Sequence, residues 1–112
     1  MEFNANKPIY LQINDSIYER ILSGDLKPED RILSVRELGA ELGVNPNTVV
    51  RSYEKLTDAG IIYNKRGIGY FVTPDARELV LASERKEFLE VELPQILRRM
   101  ALLGISPDEL NR

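Results

Sequence analysis

Three features of this 112-residue sequence predict a mainly α fold with one small β-hairpin. Two short helical patterns stand back to back between Ser34 and Asp58, each opened by a capping residue and parted by Gly43-Val44. Two apolar and aromatic runs between Ile61 and Val72 enclose a turn that carries two glycines. In the tail, Leu89, Leu93, Ile96, Met100 and Leu103 step by four, three, four and three, the spacing of a single helical seam.

Taken in order, Met1 to Lys7 reads as a loose arm. Pro8 then opens a helix that runs to about Ser23. Ile9, Ile13, Ile17 and Ile21 fall on one line of it, with Tyr10, Tyr18 and Leu22 beside them. Gly24 ends the helix, because glycine tolerates the left-handed conformation that a C-terminus needs. Asp25 to Leu33 is a short extended connection, expected to pair with the later hairpin.

Ser34 and Glu37 have the spacing of a capping box, in which each side chain bonds the other residue's backbone N–H. Val35, Leu38 and Leu42 give the helix its apolar face, and Gly43 closes it after roughly two turns. Val44 plugs the turn into the core. Asn45 is a good N-cap and Pro46 suits the first helical position, where a missing N–H costs nothing. Val49, Tyr53 and Leu56 form the buried stripe of this second helix, and Asn47, Arg51, Glu54 and Asp58 lie opposite. Val50 lies on one flank of the polar face, Thr48 and Lys55 on the other.

Ala59-Gly60 stops that helix. Ile61 to Tyr63 reads as a strand, Asn64 to Gly69 as a turn, and Tyr70 to Val72 as the returning strand. The tail is helical, with Pro94 expected to kink the helix or split it in two. Leu102-Gly104-Ile105 ends it, and Ser106 to Glu109 starts a last turn. The domain boundary is set at residue 73, giving a winged helix-turn-helix over 1–73 and a helical segment over 74–112.

Composition removes whole classes of function. Cysteine and histidine are both absent, so thiolate or imidazole metal sites and Ser-His or Cys-His catalysis are excluded. No Gly-rich phosphate loop is present and the carboxylates stand singly on helix surfaces, so the chain is expected not to be an enzyme. No cofactor and no metal are expected. No run of about 18 apolar residues is available to span a bilayer, and the start carries no signal-peptide pattern, which points to the cytoplasm.

The charge needs an explanation, since the net value is −3. Residues 1–73 hold nine Lys/Arg against ten Asp/Glu, and residues 74–112 hold six against eight. A nucleic-acid surface is usually basic, because displaced counterions drive affinity. Any such surface here is therefore local, at Arg36, Arg51, Lys55, Lys65 and Arg66.

The second central helix nevertheless suits base reading. Asn can bond adenine in bidentate fashion, Arg guanine, and a Val or Thr methyl can touch the thymine methyl. Its free N–H groups favour a phosphate. The hairpin tip, with Lys65 and Arg66, can lie on the sugar-phosphate backbone. Two function classes fit these features: a sequence-specific DNA-binding regulator, or a winged helix used as a protein-interaction module without DNA. The overall acidity keeps the second open.

The ordered runs Pro8-Ile9-Tyr10-Leu11-Gln12-Ile13, Gly24-Asp25-Leu26-Lys27-Pro28, Ser34-Val35-Arg36-Glu37-Leu38, Leu42 through Val49 and Arg66-Gly67-Ile68-Gly69-Tyr70-Phe71-Val72 resemble the GntR family of bacterial transcription regulators. The Asn-Pro-Asn-Thr turn and the short tail resemble its YtrA subfamily. The resemblance implies a repressor that binds an inverted-repeat operator on double-stranded DNA as a homodimer, with no effector identified. By position it implies DNA contacts at Arg36, Asn45, Pro46, Asn47, Thr48, Val50, Arg51, Lys65, Arg66 and Gly67. The seam Leu89, Leu93, Ile96, Met100 and Leu103 either packs back onto the winged helix or joins two copies; dimerisation is favoured, because its length exceeds what a closed core needs. Three departures stand out. Glu29 replaces the usual glycine of a Pro-Gly-Asp turn, Leu33 replaces a proline before Ser34, and Pro46 and Val50 replace arginines of other subfamilies, which leaves Arg51 as the substitute reader.

Overall fold

The computed structural model describes residues 2–111 and divides the chain into two compact units, 1–80 and 81–112. The first unit begins with α1 (Ile9–Ser23), capped by Pro8 and closed by Gly24 at φ 86°. The residues ahead of α1 are less free than an arm would be. Gln12 accepts from the Asn4 N–H and donates to the carbonyls of Asn4 and Lys7, while Lys7 pairs with Asp15. One glutamine thus holds the leading loop against the helix it precedes. Met1, the first residue of the expected arm, lies outside the described residues.

α2 (Val35–Leu42) and α3 (Pro46–Asp58) follow, and α3 packs against both α1 and α2. The hairpin consists of β1 (Ile62–Lys65) and β2 (Gly69–Val72), antiparallel, with Ile62 opposite Val72 and Lys65 opposite Gly69. Pairing therefore runs further than the sequence suggested. The loop shrinks from the expected residues 64–69 to Arg66-Gly67-Ile68, closed by the Ile68 N–H on the Lys65 carbonyl at 2.8 Å. The connection before α2 does pair with this hairpin. Arg31 forms an antiparallel bridge with Phe71, and the Ile32 N–H donates to Tyr70.

The core is formed by Ile13, Ile17 and Ile21 of α1, Val49, Tyr53 and Leu56 of α3, and Ile61, Ile62 and Val72 of the hairpin region. Leu26, Ile32, Ala76 and Val80 complete it. Because Ala76 and Val80 are fully buried, the first unit runs on to Val80, past the expected boundary at 73. Removing one such side chain, as in Leu56→Ala, costs about 2–5 kcal/mol. Inside this core the Ser52 hydroxyl donates to the Asn14 amide oxygen, and the Asn14 amide nitrogen is buried without an acceptor.

α4 (Ala76–Glu87) is followed by a π-helical turn at Phe88–Glu92 and by α5 (Leu93–Leu103). Proline has no N–H to give and its ring clashes with the carbonyl four residues back. The tail accommodates Pro94 by widening the turn before it, where the Leu93 N–H reaches the Phe88 carbonyl five residues back. Gly104 at φ 71° ends α5, and a 3-10 turn follows at Pro107–Asn111. No helix of the described residues is long and apolar enough to cross a membrane.

Candidate nucleic-acid interface

The helix-turn-helix is held by local chemistry that the sequence already carries. The Ser34 hydroxyl accepts from the Glu37 N–H at 3.1 Å, and the Glu37 carboxylate accepts from the Ser34 N–H at 3.0 Å. The Ser34 N–H holds the Glu37 carboxyl below its ordinary value, helped by the Ser34 hydroxyl and by the charge of Arg31. Arg36 follows Ser34 by two positions and is exposed.

Gly43 adopts φ 70° at the end of α2, and the Val44 N–H returns to the Gly39 carbonyl at 2.9 Å. Gly39 is buried. A side-chain carbon there would meet the Val44 carbonyl oxygen at 3.0 Å and the Pro46 Cα at 3.4 Å. The two helices approach this closely only because residue 39 has no side chain. A glycine inside an otherwise regular helical pattern was the signal available for it in the sequence.

In α3 the Asn45 side-chain oxygen accepts from the Asn47 N–H at 2.8 Å, and Pro46 takes the first helical position. Val49, Ser52, Tyr53 and Leu56 are buried. Asn45, Pro46, Asn47 and Arg51 are exposed, and Thr48 and Val50 are half-buried at the margins. One face of the helix is therefore committed to the core, and the polar residues of its first two turns remain open. Tyr53 locks the core side: its hydroxyl donates to the Leu33 carbonyl at 2.6 Å and its ring meets Tyr70 edge-on at 4.9 Å. That bond fixes the chain ahead of α2, where Leu33 stands in place of a stiffening proline. Burial, with Tyr70 adding to it, pushes the Tyr53 phenol well above its ordinary value.

At the hairpin, Lys65, Arg66 and Gly67 are exposed, with Gly67 at φ 80° in the tip. The Lys65 ammonium lies over the Phe71 ring at 4.7 Å, and Phe71 stacks on Tyr63 at 5.9 Å. The Tyr63 hydroxyl donates to the Glu29 carboxylate. That hydrogen bond, followed by a smaller effect of burial, raises the Tyr63 phenol above its ordinary value. Glu29 itself has φ 71°, at the third position of a turn closed by the Asp30 N–H on the Lys27 carbonyl. The turn keeps the left-handed geometry that suits glycine, although a glutamate occupies it.

The ten positions expected to meet DNA thus form three groups in the first unit: Arg36 on α2; Asn45, Pro46, Asn47, Thr48, Val50 and Arg51 at the start of α3; and Lys65, Arg66 and Gly67 on the hairpin. Among the described residues, no carboxylate lies within ion-pair distance of Arg36, Arg51, Lys65 or Arg66, whereas Lys7 pairs with Asp15 and Arg20 with Asp25. Tyr10 is a residue that sequence reasoning assigned to the core flank. It lies beneath the Arg51 guanidinium, and no periodicity signals this contact.

In the second unit, Leu89, Ile96 and Leu103 are exposed, Leu93 is half-buried and Met100 is buried. The π turn adds one residue to the spacing, so the line leading back from Leu93 meets Phe88, to which its N–H is bonded, rather than Leu89. Phe88 of the π turn and Leu97 and Leu102 of α5 are exposed as well, giving this part of the tail a wide apolar surface.

Residues 9–72 match the family described as bacterial regulatory proteins, gntR family. The chain is 37% identical over 110 residues to the uncharacterized HTH-type transcriptional regulator YhcF of Bacillus subtilis, covering 97% of this chain and 88% of that one. It is 33% identical over 107 residues to the HTH-type transcriptional repressor YtrA of the same organism, covering 96% and 82%. Among solved structures, a GntR family transcriptional regulator from Listeria monocytogenes superposes with a TM-score of 0.81 at 36% identity, covering 96% of this chain and 93% of that one. The DNA-binding domain of AraR in complex with operator ORX1 superposes with a TM-score of 0.58 at 30% identity, covering 60% and 81%.

Proposed function

The chain belongs to the gntR family of bacterial regulatory proteins, in its YtrA subfamily, and is a DNA-binding transcriptional regulator; from that premise we propose that it is a homodimeric repressor of an inverted-repeat operator. The observation that carries the reading is the division of α3. Its inner face is wholly buried, while Asn47 and Arg51 stand open, with Thr48 and Val50 half-buried beside them, behind an Asn45 cap. In this reading α3 lies in the major groove, where Asn47 bonds an adenine, Arg51 a guanine, and the Thr48 and Val50 methyls meet thymine. Arg36, Lys65 and Arg66 hold the phosphates on either side, and Gly67 lets the wing tip approach the backbone.

Two protomers are needed because one small footprint on an acidic chain binds weakly. Linking two heads by the apolar surface of α5 raises the effective concentration of the second. Recognition helices related by a two-fold axis meet successive major grooves about 34–36 Å apart. AraR, whose DNA-binding domain is seen with an operator, and the repressor YtrA are relatives that fit this assignment.

Fluorescence anisotropy against duplexes selected from random sequence, repeated across a salt series, tests the reading. Lys65→Ala and Arg66→Ala are expected to weaken cognate and random duplex alike and to flatten the salt slope. Asn47→Ala and Arg51→Ala are expected to relax preference at particular base pairs. Sedimentation equilibrium of Ile96→Asp is expected to show monomer. A wild-type chain that is monomeric at working concentration and ignores duplex DNA in dilute salt would overturn the proposal.

A further inference from the structure

We propose that Arg31, which belongs to neither α3 nor the hairpin, is a further contact to the DNA backbone, its guanidinium lying over Gly69 on the open face of the wing beside Lys65. The proposal rests on the DNA-binding reading above and adds to it a residue that no motif identified.

The register of the hairpin defines the face. Ile62 and Val72 are opposite each other and buried, so Tyr63, Lys65, Phe71 and position 69 face the other way, since side chains alternate along a strand. Arg31 is anchored at the edge of this sheet by its bridge to Phe71 and by the Ile32 N–H on the Tyr70 carbonyl at 3.0 Å. Its side chain crosses β2 at Gly69. A carbon added to Gly69 would sit 2.9 Å from the Arg31 Nε, 3.5 Å from one terminal nitrogen and 3.6 Å from the guanidinium carbon. The Nε is the nearest of these atoms, so the guanidinium turns its Nε edge to the place where a side chain would otherwise stand. Gly69, at φ 145°, is both the backbone conformation and the space that allows it.

Lys65 is directly opposite Gly69, and its ammonium is steadied over Phe71. Two cations thus border a patch of bare strand next to the hairpin tip. Glu29 accepts from the Tyr63 hydroxyl, and Glu37 accepts from the Ser34 N–H while feeling the Arg31 charge; among the described residues neither forms an ion pair with Arg31. A planar guanidinium beside an ammonium, on a half-buried strand with no side chain at position 69, suits phosphate oxygens rather than a base edge.

The test uses the full chain and the duplex selected above, with thermal melts of each variant to confirm folding. Arg31→Ala is expected to weaken cognate and random duplex by the same several-fold factor and to lower the salt slope by about one per protomer. Arg31→Lys should keep most of the slope and lose part of the affinity. Gly69→Ala should imitate Arg31→Ala by displacing the guanidinium. If Gly69→Ala fails to fold, Arg31→Gln, which keeps the aliphatic cover of Gly69, serves in its place. An Arg31→Ala chain that binds with wild-type affinity and slope while Arg66→Ala is impaired overturns the inference and leaves the DNA reading standing. Loss confined to particular base pairs overturns it too, since a phosphate contact carries no sequence. If the unmodified chain binds no duplex, the DNA reading fails and takes this inference with it.

Discussion

The guanidinium of Arg51 stacks on the ring of Tyr10, 4.3 Å from its centre. Arg51 is on the open face of α3 and Tyr10 is half-buried in the first turn of α1, so the contact ties the polar face of one helix to the start of another. A cation over an aromatic face at an exposed site contributes about 0.5–1 kcal/mol. Its larger effect is to limit the directions in which a long, flexible side chain can point, which reduces what binding must later order.

Tyr10→Leu is therefore expected to relax base preference at the same position as Arg51→Ala, with the double variant no worse than Arg51→Ala alone. Tyr10→Phe keeps the ring and should retain the preference. Competition binding with single-base variants of the selected duplex measures both. A Tyr10→Leu chain that discriminates more sharply would mean that the ring holds Arg51 away from the groove.

Glu29→Gly is expected to stabilise the protein by roughly 0.5–1 kcal/mol. The left-handed conformation costs a residue with a side chain about 1–2 kcal/mol, whereas the exposed hydrogen bond from Tyr63 to Glu29 contributes about 0.5–1.5 kcal/mol. Chemical denaturation of Glu29→Gly and Tyr63→Phe compares the two effects. A loss of stability in Glu29→Gly would show that the link between turn and hairpin is the stronger.

The buried pair of Asn14 and Ser52 predicts a non-additive series. Ser52→Ala leaves the Asn14 oxygen without its donor, next to an amide nitrogen that already lacks an acceptor, and should cost about 1–3 kcal/mol. Replacing both residues, as Asn14→Leu with Ser52→Ala, should recover most of that loss, because no polar atom then remains stranded. Equal destabilisation by the single and double variants would refute the account.

The capping box gives a pH dependence of defined sign. Glu37 is held below its ordinary value of 4.5 by the Ser34 N–H, then by the Ser34 hydroxyl and Arg31. A carboxyl with a depressed folded value stabilises above its unfolded value, and that contribution fades as pH falls through the folded one. The Tm difference between wild type and Glu37→Gln should thus be present at neutral pH and shrink progressively below pH 4.5. A constant difference across that range would sink the argument.

Local rules accounted for much of the fold. The Ser34–Glu37 box, the Asn45 cap, Pro46 at the first turn of α3, and Gly24, Gly43 and Gly104 at helix ends each involve residues a few positions apart, so their partners are visible in the sequence. The buried lines of α1 and α3 followed from period 3.6 for the same reason. The limits of the hairpin were less legible. Asn64 and Lys65 look like turn residues by composition, yet cross-strand bonds to Tyr70 and Gly69 extend the ladder through them.

What the sequence determined by itself is the order of elements, their caps, the family they compose and the exposure of a polar first turn on α3, because each depends on neighbours along the chain. Only the tertiary structure placed Tyr10 under Arg51, Arg31 over Gly69 and Glu29 against Tyr63, the last pair 34 positions apart. It also placed Phe88 in line with Leu93 by widening a turn ahead of Pro94. Contacts between distant residues depend on how whole elements pack, and packing has no period that a single chain of letters can display.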